Sequence, residues 1–169
     1  MIMDKKTAEL IMAMVEFDAG NARRIQHFMK VHDFAVTIAQ MENISPEEYF
    51  ILETASILHD IGIHPAEKKY GSSGGKLQEK EGPPEADKML RRLGGYTEEQ
   101  IERVKYLIGH HHTYKEIDGM DYQILIEADF LVNLYENQEE EKYILGAREH
   151  IFKTKTGLKI LNEMFSLPE

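Results

Sequence analysis

Apolar residues recur at three-and-four spacing along almost the whole chain, and period-two runs of β-branched residues are scarce, so the pattern predicts an all-α fold. The predicted helices cover about 5–18, 21–42, 46–61, 83–93, 97–112, 121–137, 139–153 and 155–165. Two starts are set by side-chain chemistry. Ser45-Pro46-Glu47-Glu48 reads as a capping box with proline at the first helical position, and Thr97-Glu98-Glu99-Gln100 as a second box. Residues 63–82 break the periodicity, being rich in Gly, Lys and Glu with no apolar stripe, and are expected to form a long loop after the helix that ends in His59-Asp60. Such a loop is either a lid or an idle surface excursion. As a lid it would present Lys68, Lys69, Lys76 and Lys80 to an anion. A phosphate-cradling P-loop is excluded, because Tyr70 stands where that pattern needs Gly and Leu77 where it needs Ser or Thr.

Length and composition narrow the class. At 169 residues, 42% apolar and 30% charged, the chain is expected to be one domain over 1–169, with a motif-bearing core at 21–137 and C-terminal helices at 138–169. The absence of cysteine removes thiol nucleophiles, disulfides and sulfur-ligated metals, leaving His, Asp and Glu as metal ligands. Twenty basic against 30 acidic residues give a formal charge of -10, the wrong sign for tracking duplex nucleic acid. A small anionic substrate remains compatible, since a bound cation and one or two arginines set the local field. The apolar run Leu10 to Val15 is short and flanked by charges, so neither a membrane span nor a signal peptide is expected, and the chain reads as cytoplasmic.

Four groups of ionisable residues fall on apolar faces. His32 shares a stripe with Ile25, Phe28, Ala35, Val36 and Ala39, where it is either a hydrogen-bonded core histidine or a ligand. Ile51, Ala55 and Leu58 lead into His59-Asp60, either a helix-terminal capping pair or two ligands at the inner edge of a terminus. Asp129 lies on the face of Leu125, Ala128, Val132 and Tyr135, where burial of its charge demands a buried Arg or a metal. Ile101, Val104 and Ile108 extend to His111, with His112 on the flank and His110 turned further away. Two His and two Asp on core faces of different helices suit a nitrogen-and-oxygen cage for Mn, Fe, Co, Ni, Zn or Mg.

The order His32, His59-Asp60, Asp129, with Leu58-His59-Asp60-Ile61-Gly62 around the doublet and Glu127-Ala128-Asp129 at the end, resembles the H…HD…D signature of the HD-domain metal-dependent phosphohydrolases. The resemblance implies a helical HD-like bundle, divalent-metal ligation by His32, His59, Asp60 and Asp129, and hydrolysis of phosphate mono- or diesters, commonly nucleotides. His111 and its neighbours resemble the paired histidines of some branches. The chain reads Gly82-Pro83-Pro84-Glu85-Ala86 where two-metal branches carry a further His, so one metal per chain is expected. The expected roles are Asp60, His111 and His112 in catalysis, with Arg23, Arg24 and His110 binding the phosphate of a small substrate. A module that senses a nucleotide or metal without catalysis is the alternative.

Overall fold

The computed structural model describes residues 3–168. Nine helices are present among them: α1 (Lys5–Phe17), α2 (Ala22–Glu42), α3 (Pro46–Leu58), α4 (Ile63–Tyr70), α5 (Gly75–Leu93), α6 (Glu98–Ile108), α7 (Met120–Glu136), α8 (Glu141–His150) and α9 (Lys155–Phe165). Both capping boxes form, Ser45 with Glu48 and Thr97 with Gln100. No helix among the described residues is long and apolar enough to cross a membrane.

The bundle is organised around α7. Every residue from Asp121 to Asp129 is buried, and a helix enclosed on all sides must be packed on all sides. It is packed by α2, α3, α6 and α9. Tyr135, expected on its core stripe, is 65% exposed, while its neighbours Leu134 and Glu136 face inward, Leu134 buried and Glu136 engaged by His27 and Lys30 of α2. Glu127 is fully buried and serves the fold. It accepts from Gln123 Nε2 at 2.7 Å, from the Thr154 amide at 3.2 Å and from Thr154 Oγ1 at 2.7 Å. These bonds pin the start of α9 to α7. Burial still raises the Glu127 carboxyl above its ordinary value.

The segment 63–82 is not a long loop. It contains α4 and the first two turns of α5, joined by a short connection at residues 71–74. Pro83 and Pro84, expected to open a helix, lie inside α5. Periodicity missed these helices because their inward contacts are made largely through small residues. A Cβ added at Gly62 would lie 2.5 Å from the Gln78 carbonyl oxygen and 2.7 Å from the Gly82 nitrogen, and one at Gly82 would lie 2.7 Å from Ile108 Cγ2. Backbone thus packs on backbone where the turn after α3 meets α5, and glycine is the residue that permits so close an approach. The lysines of the segment are exposed or engaged elsewhere, Lys69 with Glu81 at 3.2 Å.

Gly62→Ala is therefore expected to destabilise the protein by about 1–3 kcal/mol, since the obstructing atoms are backbone and cannot swing away. Gly146→Ala, at a position where an added Cβ meets nothing within 4 Å, is the control. Chemical denaturation of the two variants checks the difference.

Candidate metal centre

Tight turns aim most of the site's side chains. α3 ends at Leu58, and residues 59–62 form a turn held by Ile61 N to Leu58 O at 2.9 Å and Ile63 N to Asp60 O at 3.0 Å. Adjacent residues on a continuous helix diverge by about 100°, whereas this turn lets His59 and Asp60 point at one place. A second turn follows α6. There the backbone amide of His112 donates to Glu79 Oε1 at 3.0 Å and Thr113 Oγ1 donates to the same atom at 2.8 Å, so α5 holds the histidine triplet in position.

Four residues from three regions converge. His27 Nε2 lies 3.2 Å from Asp60 Oδ2 and 3.2 Å from Asp129 Oδ1. His59 Nε2 lies 3.3 Å and 3.4 Å from the same two oxygens. The two imidazole Nε2 atoms are 3.1 Å apart. Each ring is oriented from behind, His27 Nδ1 donating to Glu136 Oε2 at 3.0 Å and His59 Nδ1 to the Ser56 carbonyl at 2.7 Å. Lys30 holds Glu136 at 2.7 Å, and Asn133 Nδ2 donates to Asp129 Oδ1 at 2.9 Å. Such outer contacts fix the tautomer and leave Nε2 free to ligate.

The structure corrects the first ligand. His32 is not in the cluster. It is buried between α2 and α3, with Nε2 3.1 Å from Glu53 Oε1 and Nδ1 3.3 Å from Asp33 Oδ1, while Thr7 Oγ1 donates to Glu53 Oε2 at 3.2 Å. It is the hydrogen-bonded core histidine that the residue pattern left open. His27 stands where His32 was expected, because five helical positions turn the side chain by about 140°. A signal for it was present in the sequence: His27, Val31, Ala35 and Ile38 form a second apolar line on α2, and all four are buried.

A second group of donors shares Asp60. Asp60, His111 and His112 each place one ligand atom within 4.8 Å of the others, as do His27, His59 and Asp60. His111 is fully buried, its Nδ1 donates to the Ile108 carbonyl at 2.7 Å, and its Nε2 lies 3.4 Å from Asp60 Oδ1. That Nε2 is the one buried side-chain polar atom among the described residues with no hydrogen-bond partner. His112 is held by Gln78 Oε1 at 2.8 Å. His110 turns from the site, its ring stacked on Tyr106 at 4.0 Å and its Nδ1 donating to the Tyr106 carbonyl at 2.7 Å. It lies outside both groups of donors and outside the pocket lining.

The electrostatics follow from placing carboxylates in the interior. Burial disfavours the imidazolium of His27, but contacts with Asp129 and Asp60 outweigh that and raise its pKa to about 9. For His59 burial is likewise outweighed, by the charge of Asp60 and the contact with Asp129, and its pKa stands well above the ordinary histidine value. Burial would raise Asp60 and Asp129, but the facing histidines hold both below the usual carboxylate range. His112 goes the other way, lowered to about 4 by burial and by its neighbour His111. A divalent cation fits this donor set: the oriented Nε2 atoms of His27 and His59, two carboxylates, and positive charge already required at the point where they meet. A pocket of about 350 Å³ opens over the cluster, and its lining includes His27, Asp60, Asp129, His112, Arg23 and Arg24.

His27→Ala should weaken binding of Mn²⁺ by more than about a hundredfold, whereas His32→Ala should retain it and lose about 1–3 kcal/mol of stability through the Glu53 carboxylate left without its partner. Calorimetric titration and denaturation of both variants separate the two positions. Metal binding competes with protons on His27 and His59, so affinity should climb with pH toward about 9. Without metal the sign reverses: the stability contributed by the raised His27 pKa is complete below its ordinary value of 6.5 and is lost as pH rises through about 9.

The HD domain family model matches residues 24–157, a span that includes His27, the His59-Asp60 doublet and Asp129. Among solved structures, a predicted HD superfamily hydrolase from an uncultured Thermotogales bacterium matches with a TM-score of 0.67 and 22% identity, over 94% of this chain and 84% of that one, a likeness of fold. No curated protein matches the chain by sequence. The helical arrangement and the convergent His and Asp residues agree with the family match over most of the chain, and the chain belongs to the HD domain family.

Proposed function

We propose that this protein is a metal-dependent phosphohydrolase, cleaving a phosphate mono- or diester of a small substrate, with a nucleotide as the expected class. The observation that carries the reading is Asp60: one half-buried carboxylate shared by two groups of imidazole nitrogens, beneath a pocket that also holds two arginines. His27, His59, Asp60 and Asp129 would hold one divalent metal tightly. The chemistry supplied by a metal held there would be acidification of water and neutralisation of phosphate charge.

The chain's own residues supply the rest. Arg23, at the start of α2 and on the pocket wall, grips a phosphoryl oxygen, while Arg24 beside it is held by Glu67 at 2.6 Å. Asp60 orients the attacking water through the carboxylate oxygen that faces His111. His111 Nε2, with no other partner, is placed to protonate the leaving oxygen. His112, uncharged near neutral pH, offers a lone pair beside it. Glu79 keeps both histidines at that distance through the backbone of the turn.

The test is phosphate release from nucleoside mono-, di- and triphosphates and cyclic nucleotides across Mn, Fe, Co, Ni, Zn and Mg. Activity should vanish on chelation and in Asp60→Ala. His111→Ala should lower turnover by about 10²–10⁴-fold with little change in tightly bound metal, counted as one ion per chain. Silence with every metal, while metal stays bound, would favour the sensing module.

A further inference from the structure

The pocket above the cluster carries an ion pair that the catalytic scheme does not use. Arg24 Nη2 lies 2.6 Å from Glu67 Oε2, joining the start of α2 to α4 across the pocket wall. Ser73 Oγ, from the connection between α4 and α5, donates to the other oxygen of Glu67 at 3.4 Å. Arg24 holds the Glu67 carboxyl below its ordinary value, so the group is an anion at neutral pH. Arg23, on the same wall, has no ion-pair partner among the described residues. Glu136, the other lining acid outside the metal cluster, is engaged by His27 and Lys30.

The lining cations are thus unequal. Arg23 is available to an incoming anion, and Arg24 arrives already neutralised. A single phosphoryl group over the cluster needs one such cation beside the metal. A second phosphoryl group attached to the first must reach the rim, where it meets a fixed carboxylate and an arginine with no net charge to offer. The Glu67 side chain is 46% exposed, so solvent screens the repulsion and the discrimination comes mainly from the occupied guanidinium of Arg24. The volume of about 350 Å³ sits at the low end of the roughly 300–1,000 Å³ typical of ligand pockets, which leaves little space for a chain to avoid the contact.

We infer that Glu67 is a specificity-determining residue that restricts the site to single phosphoryl groups and rejects phosphate chains, by occupying the guanidinium of Arg24. This rests on the phosphohydrolase reading for its meaning in turnover, but the discrimination is a property of binding and can be measured alone. The carboxylate acts as a built-in competitor for the second cation, and removing its charge frees Arg24 for a pyrophosphoryl group.

The experiment uses the full chain with excess Mn²⁺ and reads apparent affinities for inorganic phosphate and for pyrophosphate from thermal-shift titrations. The wild type should prefer phosphate. Glu67→Gln should move the phosphate-to-pyrophosphate affinity ratio toward pyrophosphate by about tenfold or more, and Glu67→Asp should stay within about threefold of wild type. A wild-type preference for pyrophosphate, or a Glu67→Gln ratio within about twofold of wild type, would overturn the inference. A shifted ratio in a protein that cleaves no phosphoester would uphold the role of Glu67 and remove the phosphohydrolase reading. Cleavage of monophosphates and diphosphates at equal efficiency by the wild type would do the reverse.

Discussion

Two carboxylates in the interior of a helical bundle set the terms for the rest of this molecule. Asp60 and Asp129 come within 3.4 Å of the same two imidazole nitrogens, and their desolvation would cost several kcal/mol apiece if nothing positive stood between them. The protein answers with His27 and His59, whose pKa values rise until they carry the charge themselves. A divalent cation meets the same demand with one charge centre in place of two protons. The proton-loaded and metal-loaded forms are thus alternative solutions to one electrostatic problem, which couples metal affinity to pH.

That problem can be solved only if the donors stay put, and the frame around them is built for it. His27, His59 and His111 are each held at Nδ1 by a carbonyl or a carboxylate. The turn after α3 is fixed against α5 by contact between Gly62 and the Gln78–Gly82 backbone, a contact that a methyl group on Gly62 would obstruct. The same helix supplies Glu79 to the turn of the histidine triplet. One helix whose inner face is poor in large apolar side chains therefore locates both halves of the site, and stability and function share those few contacts.

The overall charge of -10 says little about what reaches the centre. Within the pocket the balance is set by Arg23, Arg24, Glu67 and Glu136, two of which are tied to each other and one to the outer support of His27. Local pairing decides which cation an anion can use. This is why a strongly acidic protein can still present an arginine without an ion-pair partner among the described residues on the wall above the cluster.

The sequence by itself determined the helical class, the two capping boxes and the inward face of α7 that carries Leu125, Ala128 and Asp129, because these depend on local periodicity and on side chains three or four positions apart. It also pointed to His59, Asp60, His111 and Asp129 as the ionisable residues on inward faces. The sequence pattern names His32, and only the tertiary structure puts His27 in its place. Both lie on apolar lines of α2, and what separates them is what each line faces: α7 and the turn after α3 for one, Glu53 of α3 for the other. The helices at 63–70 and 75–82 were likewise hidden, since glycine contacts leave no hydrophobic stripe to read. The pairing of Arg24 with Glu67, 43 residues apart, belongs to the same category. Periodicity reports which side of a helix is buried, and only the packing of one helix on another says against what.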